Sequence, residues 1–139
     1  MEWKEALPLL QENHTGVAIS VTPKGRAQAT VVSTAVLDGK VGFASRGYTV
    51  KVKNIQRTGR ATVTVIKLDT RRYVTVEGPA SIEPWQDTPA HIKRLKDLYV
   101  GMGRASKSDE EFAKQMRDEE RSLVLVTPER LYGSLRSGA

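Results

Sequence analysis

The chain has 139 residues, a net charge of +6 and no cysteine. This length suits a single domain spanning residues 1–139, burying roughly two thirds of its unfolded surface. Without cysteine there are no disulfides, thiolate zinc sites or thiol nucleophiles, which suits a reducing compartment. The N-terminal MEWKEALPLL lacks the pattern of a signal peptide or anchor and no other run spans a bilayer, so a soluble cytoplasmic protein is expected.

Residues 16–22, GVAISVT, alternate as a half-buried strand does, and the turn PKGR leads into a second strand, AQATVVSTAVL, completing a hairpin. Asp38-Gly39 is a dipeptide favoured in tight primed turns and precedes a third strand, VGFAS. Residues 49–58 admit two readings. TVKVK alternates like a strand, but Thr49 as N-cap, Val52 and Ile55 at i, i+3 and Gly59 as terminator favour a short helix. Residues 61–68 and 73–82 form a second strand pair about the turn DTRR.

Two helices follow Pro84. The first starts at an Asp87 or Thr88 cap before Pro89, carries Ile92, Leu95, Leu98 and Tyr99 on one stripe and ends near Gly101. The second, in residues 106–121, starts from Ser108 and Glu111 in capping-box relation, with Asp109, Glu110 and Glu111 at the positive end of the helix dipole and Arg117 and Arg121 toward the other end. SLVLVTPERLYGSL closes the chain with one or two strands interrupted at Thr127-Pro128. The pattern is mainly β (α+β): six to seven strands, a short helix after the third strand and two helices before the C-terminal strands.

The charge is not spread evenly. Residues 14–68 hold nine bases and one acid, Asp38, whereas the remainder is close to balanced. This concentration points to a patch facing an anionic partner, against the alternative of a solvated face. Its densest part is SRGYTVKVKNIQR, residues 45–57, with four cations and no carboxylate. On the helical reading Lys51 lies in the first turn, where a cation is mildly unfavourable beside the positive end of the dipole unless an anion offsets it. Free backbone N–H groups at that end make a phosphate seat, and Lys53 and Arg57, at i and i+4, form a second cationic edge.

The order of these pieces resembles the split β-barrel flavin and deazaflavin oxidoreductases related to pyridoxamine-phosphate oxidase, over about residues 6–136. The residues that carry the resemblance are Lys51-x-x-Asn54-Ile55-x-Arg57, the alternating strand Ala61 to Val65, and Glu77-Gly78-Pro79-Ala80. Within that family the chain most resembles the mycobacterial and actinobacterial branch that uses the deazaflavin coenzyme F-420. The resemblance implies a homodimer with each cofactor in a groove between one barrel and the neighbouring subunit. It implies that Lys51 meets the cofactor phosphate, that Gln28, Thr30 and Val32 line the ring, and that Ser45 and Arg46 flank the phosphate or ribityl region. Lys53 and Arg57 would serve the acidic tail, and Asn54 would tie the helix to the barrel.

The implied activity is hydride transfer between F-420 and an unsaturated organic acceptor of enone, quinone or tetrapyrrole type, which asks the protein mainly to orient the ring and exclude water. No nucleophile–base pair or metal cluster stands out in the sequence. His14 and His91 read as surface or packing residues. Tyr73 is the one candidate proton donor, against the plainer reading of a half-buried barrel tyrosine. Trp3 and Trp85 border element boundaries and read as covers for the core or a dimer seam. FMN is the alternative cofactor, since Arg46 and Lys51 fit the Arg-x-x-x-x-Lys spacing of FMN-using relatives; the basic excess favours the longer polyanion. A carrier that binds cofactor or tetrapyrrole without turnover uses the same groove. Nucleic acid is disfavoured, because residues 13–68 contain only Phe43 and Tyr48 for base stacking.

Overall fold

The computed structural model describes residues 1–104 and 107–136; Ser106, which opens the second long helical segment, lies outside them. The described elements run α1 (Trp3–Glu12), β1 (Thr15–Val21), β2 (Ala27–Ser33), β3 (Ala35–Leu37), β4 (Lys40–Arg46), α2 (Val50–Thr58), β5 (Arg60–Lys67), β6 (Arg72–Glu83), α3 (Pro89–Gly101), α4 (Asp109–Glu119), β7 (Arg121–Val126) and β8 (Arg130–Ser134). All strand pairs are antiparallel, in the order β2-β1-β5-β6-β7-β4-β3, with β8 on β6. The expected α+β split barrel is the observed fold.

Local chemistry accounts for most boundaries. Asp38 and Gly39 both have positive φ (56° and 69°), as the primed turn between β3 and β4 requires. Gly59, at φ 69°, ends α2 in the left-handed conformation. The Thr88 hydroxyl caps α3 by accepting from the His91 N–H, and the Ser108 hydroxyl caps α4 by accepting from the Glu111 N–H.

Two features differ from the sequence expectation. Residues 27–37 form two strands, because the chain leaves β1 at Thr34 to pair with β4; the Thr34 N–H donates to the His14 carbonyl at 2.9 Å at the break. The short helix therefore follows the fourth strand. The N-terminus also forms a helix, α1, which its sequence pattern does not announce. It contains Pro8, ordinarily a helix breaker, on its exposed side, while Ala6, Leu9 and Leu10 are buried. Packing on the barrel outweighs the local penalty.

The barrel interior is filled by inward residues of β1, β4, β5, β6 and β7, including Phe43, Val63, Val65, Val74, Val76 and Val124, closed by α1 and by Val52 and Ile55 of α2. A second core lies outside the barrel, where Leu95 and Leu98 of α3 and Phe112 and Met116 of α4 cover Leu123 and Leu125. β7 thus has both faces buried, which explains its near-continuous apolar run. β6 joins the two halves: Tyr73–Glu77 pairs with β8 and Ala80–Glu83 with β7. The chain returning from β7 to β8 crosses at the switch, where the Thr127 N–H donates to the Pro79 carbonyl (2.8 Å) and the Glu129 N–H to the Glu77 carbonyl (3.1 Å). A Cβ at Gly78 would lie 2.1 Å from the Thr127 carbonyl oxygen.

Candidate functional site

α2 begins immediately after β4, so its N-terminus opens at the end of that strand. Thr49 occupies the N-cap position but makes no side-chain cap. Its hydroxyl proton goes to the Arg46 carbonyl (3.0 Å), leaving the Ser45 hydroxyl to donate to Thr49 Oγ1 (3.1 Å). The first-turn amides of α2 therefore lack a side-chain acceptor, which is the condition for seating an anion.

Beside this end lies a groove of about 250 Å³ lined by Val31, Val32, Ser33, Ala44, Lys51, Tyr99, Met102, Arg104 and Arg121. Among the described residues, three cations and no carboxylate line it. Burial, followed by the nearby Arg121 charge, pushes the Lys51 ammonium below the usual lysine range, and no carboxylate offsets either effect. Burial chiefly raises the Tyr99 phenol, which keeps it a hydrogen-bond donor. Donors and positive charge converge on one concave surface, and a phosphate or carboxylate matches that surface.

Two helix ends deliver the arginines. Gly103 adopts φ 75° after α3, its N–H donates to the Val100 carbonyl (2.9 Å), and the Arg104 N–H donates to the Tyr99 carbonyl (2.8 Å). This pair of reversed bonds is a Schellman ending, and it fixes where Arg104 leaves the helix. Glu120, at φ 49°, ends α4 and turns the chain into β7 at Arg121. The Arg121 Nε donates to Glu119 Oε2 at 2.9 Å, and the His91 Nε2–H donates to the Arg121 carbonyl at 2.9 Å. Burial raises the Glu119 carboxyl, but the hydrogen bonds from Arg121 and Gln115 outweigh it, so it lies below the usual range and is ionised.

Of the residues singled out from sequence, the groove brings together Val32 and Lys51. Gln28 and Thr30 share the inward face of β2 with Val32, but Gln28 Nε2 donates to Thr30 Oγ1 (2.7 Å) and Gln28 Oε1 accepts from Ser20 (3.2 Å). Buried Asn54 donates to Ser20 (3.1 Å), and Arg57 donates to Asn54 (3.0 Å) and to the Val21 carbonyl. Asn54 ties α2 to β1, and Arg57 is engaged in the same network. Ser45 is buried, on the barrel side of β4; Arg46 and Lys53 are exposed, and Arg46 donates to the Tyr48 hydroxyl at 2.9 Å. Tyr73 lies on β6 opposite Ile66 and Ser134 and does not line the groove. His91 is buried and His14 Nδ1–H donates to the Thr34 carbonyl (3.0 Å), while Trp3 and Trp85 pack on the two cores.

Arg104 and Arg121 went unrecognised as site residues. In the sequence Arg121 reads only as a cation toward the end of a helix, and nothing local ties either arginine to Lys51. The β4–β7 ladder brings Arg121 beside Arg46 at the end of β4, and the ending of α3 brings Arg104 to the same groove.

The sequence matches the pyridoxamine 5'-phosphate oxidase family over residues 3–134, nearly the whole chain. The chain belongs to that family. Proteins of known structure share its architecture. A conserved hypothetical protein from Mycobacterium tuberculosis is 23% identical, with a TM-score of 0.76 over 96% of this chain and 84% of its own. An F-420 reductase is 21% identical, with a TM-score of 0.67 over 90% and 94%. A pyridoxamine 5'-phosphate oxidase-related, FMN-binding protein from Nostoc punctiforme is 17% identical, with a TM-score of 0.68 over 94% and 82%. At these identities the likeness establishes the fold. No match to a curated protein was found.

Proposed function

We propose that this protein is an oxidoreductase that holds F-420 at the basic groove and passes a hydride between it and an unsaturated organic acceptor of enone, quinone or tetrapyrrole type. The observation that carries the reading is a carboxylate-free groove lined by Lys51, Arg104 and Arg121 beside the uncapped start of α2. Lys51 and the first-turn amides bind the phosphate, and the ring is oriented against Val32 at the groove and against Gln28 and Thr30 further along the same face of β2. When bound, the deazaflavin supplies the two-electron hydride chemistry; the chain positions it and keeps water away. The F-420 reductase neighbour supports this reading.

FMN is the second reading, and a specific observation favours it. Arg57 already serves Asn54 and the Val21 carbonyl, which removes one of the two cations on α2 assigned to an acidic tail and leaves Lys53. Binding and single-turnover hydride transfer, measured with F-420 and with FMN against quinones, enones and tetrapyrroles, decide between them. Tight binding and turnover with F-420 are expected; binding of neither sinks both readings, and binding without turnover identifies a carrier.

The groove is the site of one protomer of a homodimer on this reading. The faces of β1, β2, β5, β6 and β8 turned away from the barrel core carry Val17, Ile19, Val31, Ile66, Tyr73 and Tyr132, none of which belongs to either core. Val31, 72% exposed, lies on this face and also lines the groove, so a second copy covering the face adds a wall to the site. Ligand sites usually enclose about 300–1,000 Å³, more than this groove holds alone. Ile19→Glu, which places a charge on that face, is expected to yield monomers by analytical ultracentrifugation and to weaken cofactor binding about tenfold or more. A dimer with unchanged affinity overturns this arrangement.

A further inference from the structure

We propose that Arg104 and Arg121 form a second anion-binding centre in the groove, taking an acidic group of the ligand separate from the phosphate held at Lys51. The inference rests on the groove being the cofactor site and specifies the ligand class: an anion with two acidic groups, such as a phosphate followed by a carboxylate or a second phosphate. The two centres come from different parts of the fold. Lys51 and the open amides belong to α2, whereas Arg104 follows the Schellman ending of α3 and Arg121 starts β7.

Arg121 is built in rather than draped over the surface. Its side chain is 29% exposed, its Nε is spent on Glu119, its Nη1 lies 3.4 Å from the Ala44 carbonyl, and its own carbonyl is held by buried His91. The rest of the guanidinium edge faces the groove, where three cations meet no lining carboxylate. Arg104 and Arg121 come from elements other than α2, and a second acidic group of the ligand gives these two arginines an anionic partner of their own beside the phosphate at Lys51. Glu119 orients Arg121 and, as a negative charge beside it, weakens the centre.

The test is calorimetric titration at low ionic strength of wild type, Lys51→Gln, Arg121→Gln, Arg104→Gln and Glu119→Gln. The probes form two pairs, inorganic phosphate with inorganic diphosphate and FMN with tailed F-420. Wild type is expected to favour the doubly acidic member of at least one pair. Arg121→Gln reduces that preference about tenfold while changing the singly acidic member by about twofold or less. Lys51→Gln weakens both members alike, and Glu119→Gln strengthens the doubly acidic member. Equal loss for both members of each pair in Arg121→Gln, or no loss in either pair, overturns the proposal. Arg104→Gln, in an exposed segment, carries the same expectation if Arg121→Gln fails a thermal-melt check. Failure of wild type to bind FMN and F-420, with an Arg121-dependent preference for diphosphate, sinks the proposed function and leaves the anion centre standing.

Discussion

Lys51→Gln is expected to weaken binding of FMN and of F-420 by about 30-fold each, measured by titration of the cofactor's visible absorbance or fluorescence. The magnitude follows from the loss of one charge-assisted hydrogen bond at a partly desolvated site. The effect is independent of tail length, because Lys51 lies at the start of α2, where the phosphate is proposed to sit. A pH signature accompanies it. Burial and Arg121 lower the pKa of Lys51 in the free protein, and a bound anion favours the charged form, so the folded, ligand-free lysine is the one that loses its proton first. Affinity is therefore full below that depressed pKa and falls as pH rises through it, starting below the usual lysine range. Lys51→Arg, which keeps its charge, should remove this alkaline decline while retaining most of the affinity. An alkaline limb identical in wild type and Lys51→Arg, or a loss under about threefold in Lys51→Gln, removes Lys51 from the phosphate site.

Gly78→Ala is expected to destabilise the fold by about 3–4 kcal/mol, lowering the melting temperature by roughly 10 °C. The reason is steric. A Cβ at this position would lie 2.1 Å from the Thr127 carbonyl oxygen and 3.0 Å from the Glu129 amide nitrogen, both backbone atoms of the crossing between β7 and β8. That crossing is also pinned by the Thr127–Pro79 and Glu129–Glu77 hydrogen bonds, so it cannot move aside without breaking the β6 ladder. Gly42→Ala is the comparison. Its Cβ would meet the side-chain ends of Leu125 and Leu98 at 3.0 Å, which can shift, and a loss of about 1 kcal/mol is expected. Melts in which Gly78→Ala is no worse than Gly42→Ala would show that the crossing yields easily.

Gly78 also shows how a sequence motif acquires its physical reason. In the sequence it is part of Glu77-Gly78-Pro79-Ala80 and contributes to a resemblance; in the fold it is where β6 exchanges one partner strand for another and a second backbone passes too close for any side chain. The strands themselves were legible because their chemistry is local. β-Branched alternation marks β1, β5 and β6, Asp38-Gly39 supplies the primed turn, and Thr49 with Gly59 brackets α2. The misread segments are those where a distant partner overrules the local signal. Pro8 argues against a helix that the barrel stabilises through Leu9 and Leu10, and residues 27–37 read as one strand because only the partners β1 and β4, on separate ladders, divide them.

The candidate site divides in the same way. Residues 45–57 held the basic helix start, with Lys51 in its first turn, because charge, cap and terminator all lie within a few positions of each other. By itself the sequence determined the strands and helices and an anion-seeking N-terminus. Only the tertiary structure decided which cations act together. It drew Arg57 into a hydrogen-bonded tie with Asn54 and Val21, and brought Arg104 and Arg121 to Lys51 from positions more than fifty residues away. The physical reason is that convergence of charge depends on strand pairing and helix endings set by the packed core, and no local propensity encodes a neighbour so far along the chain.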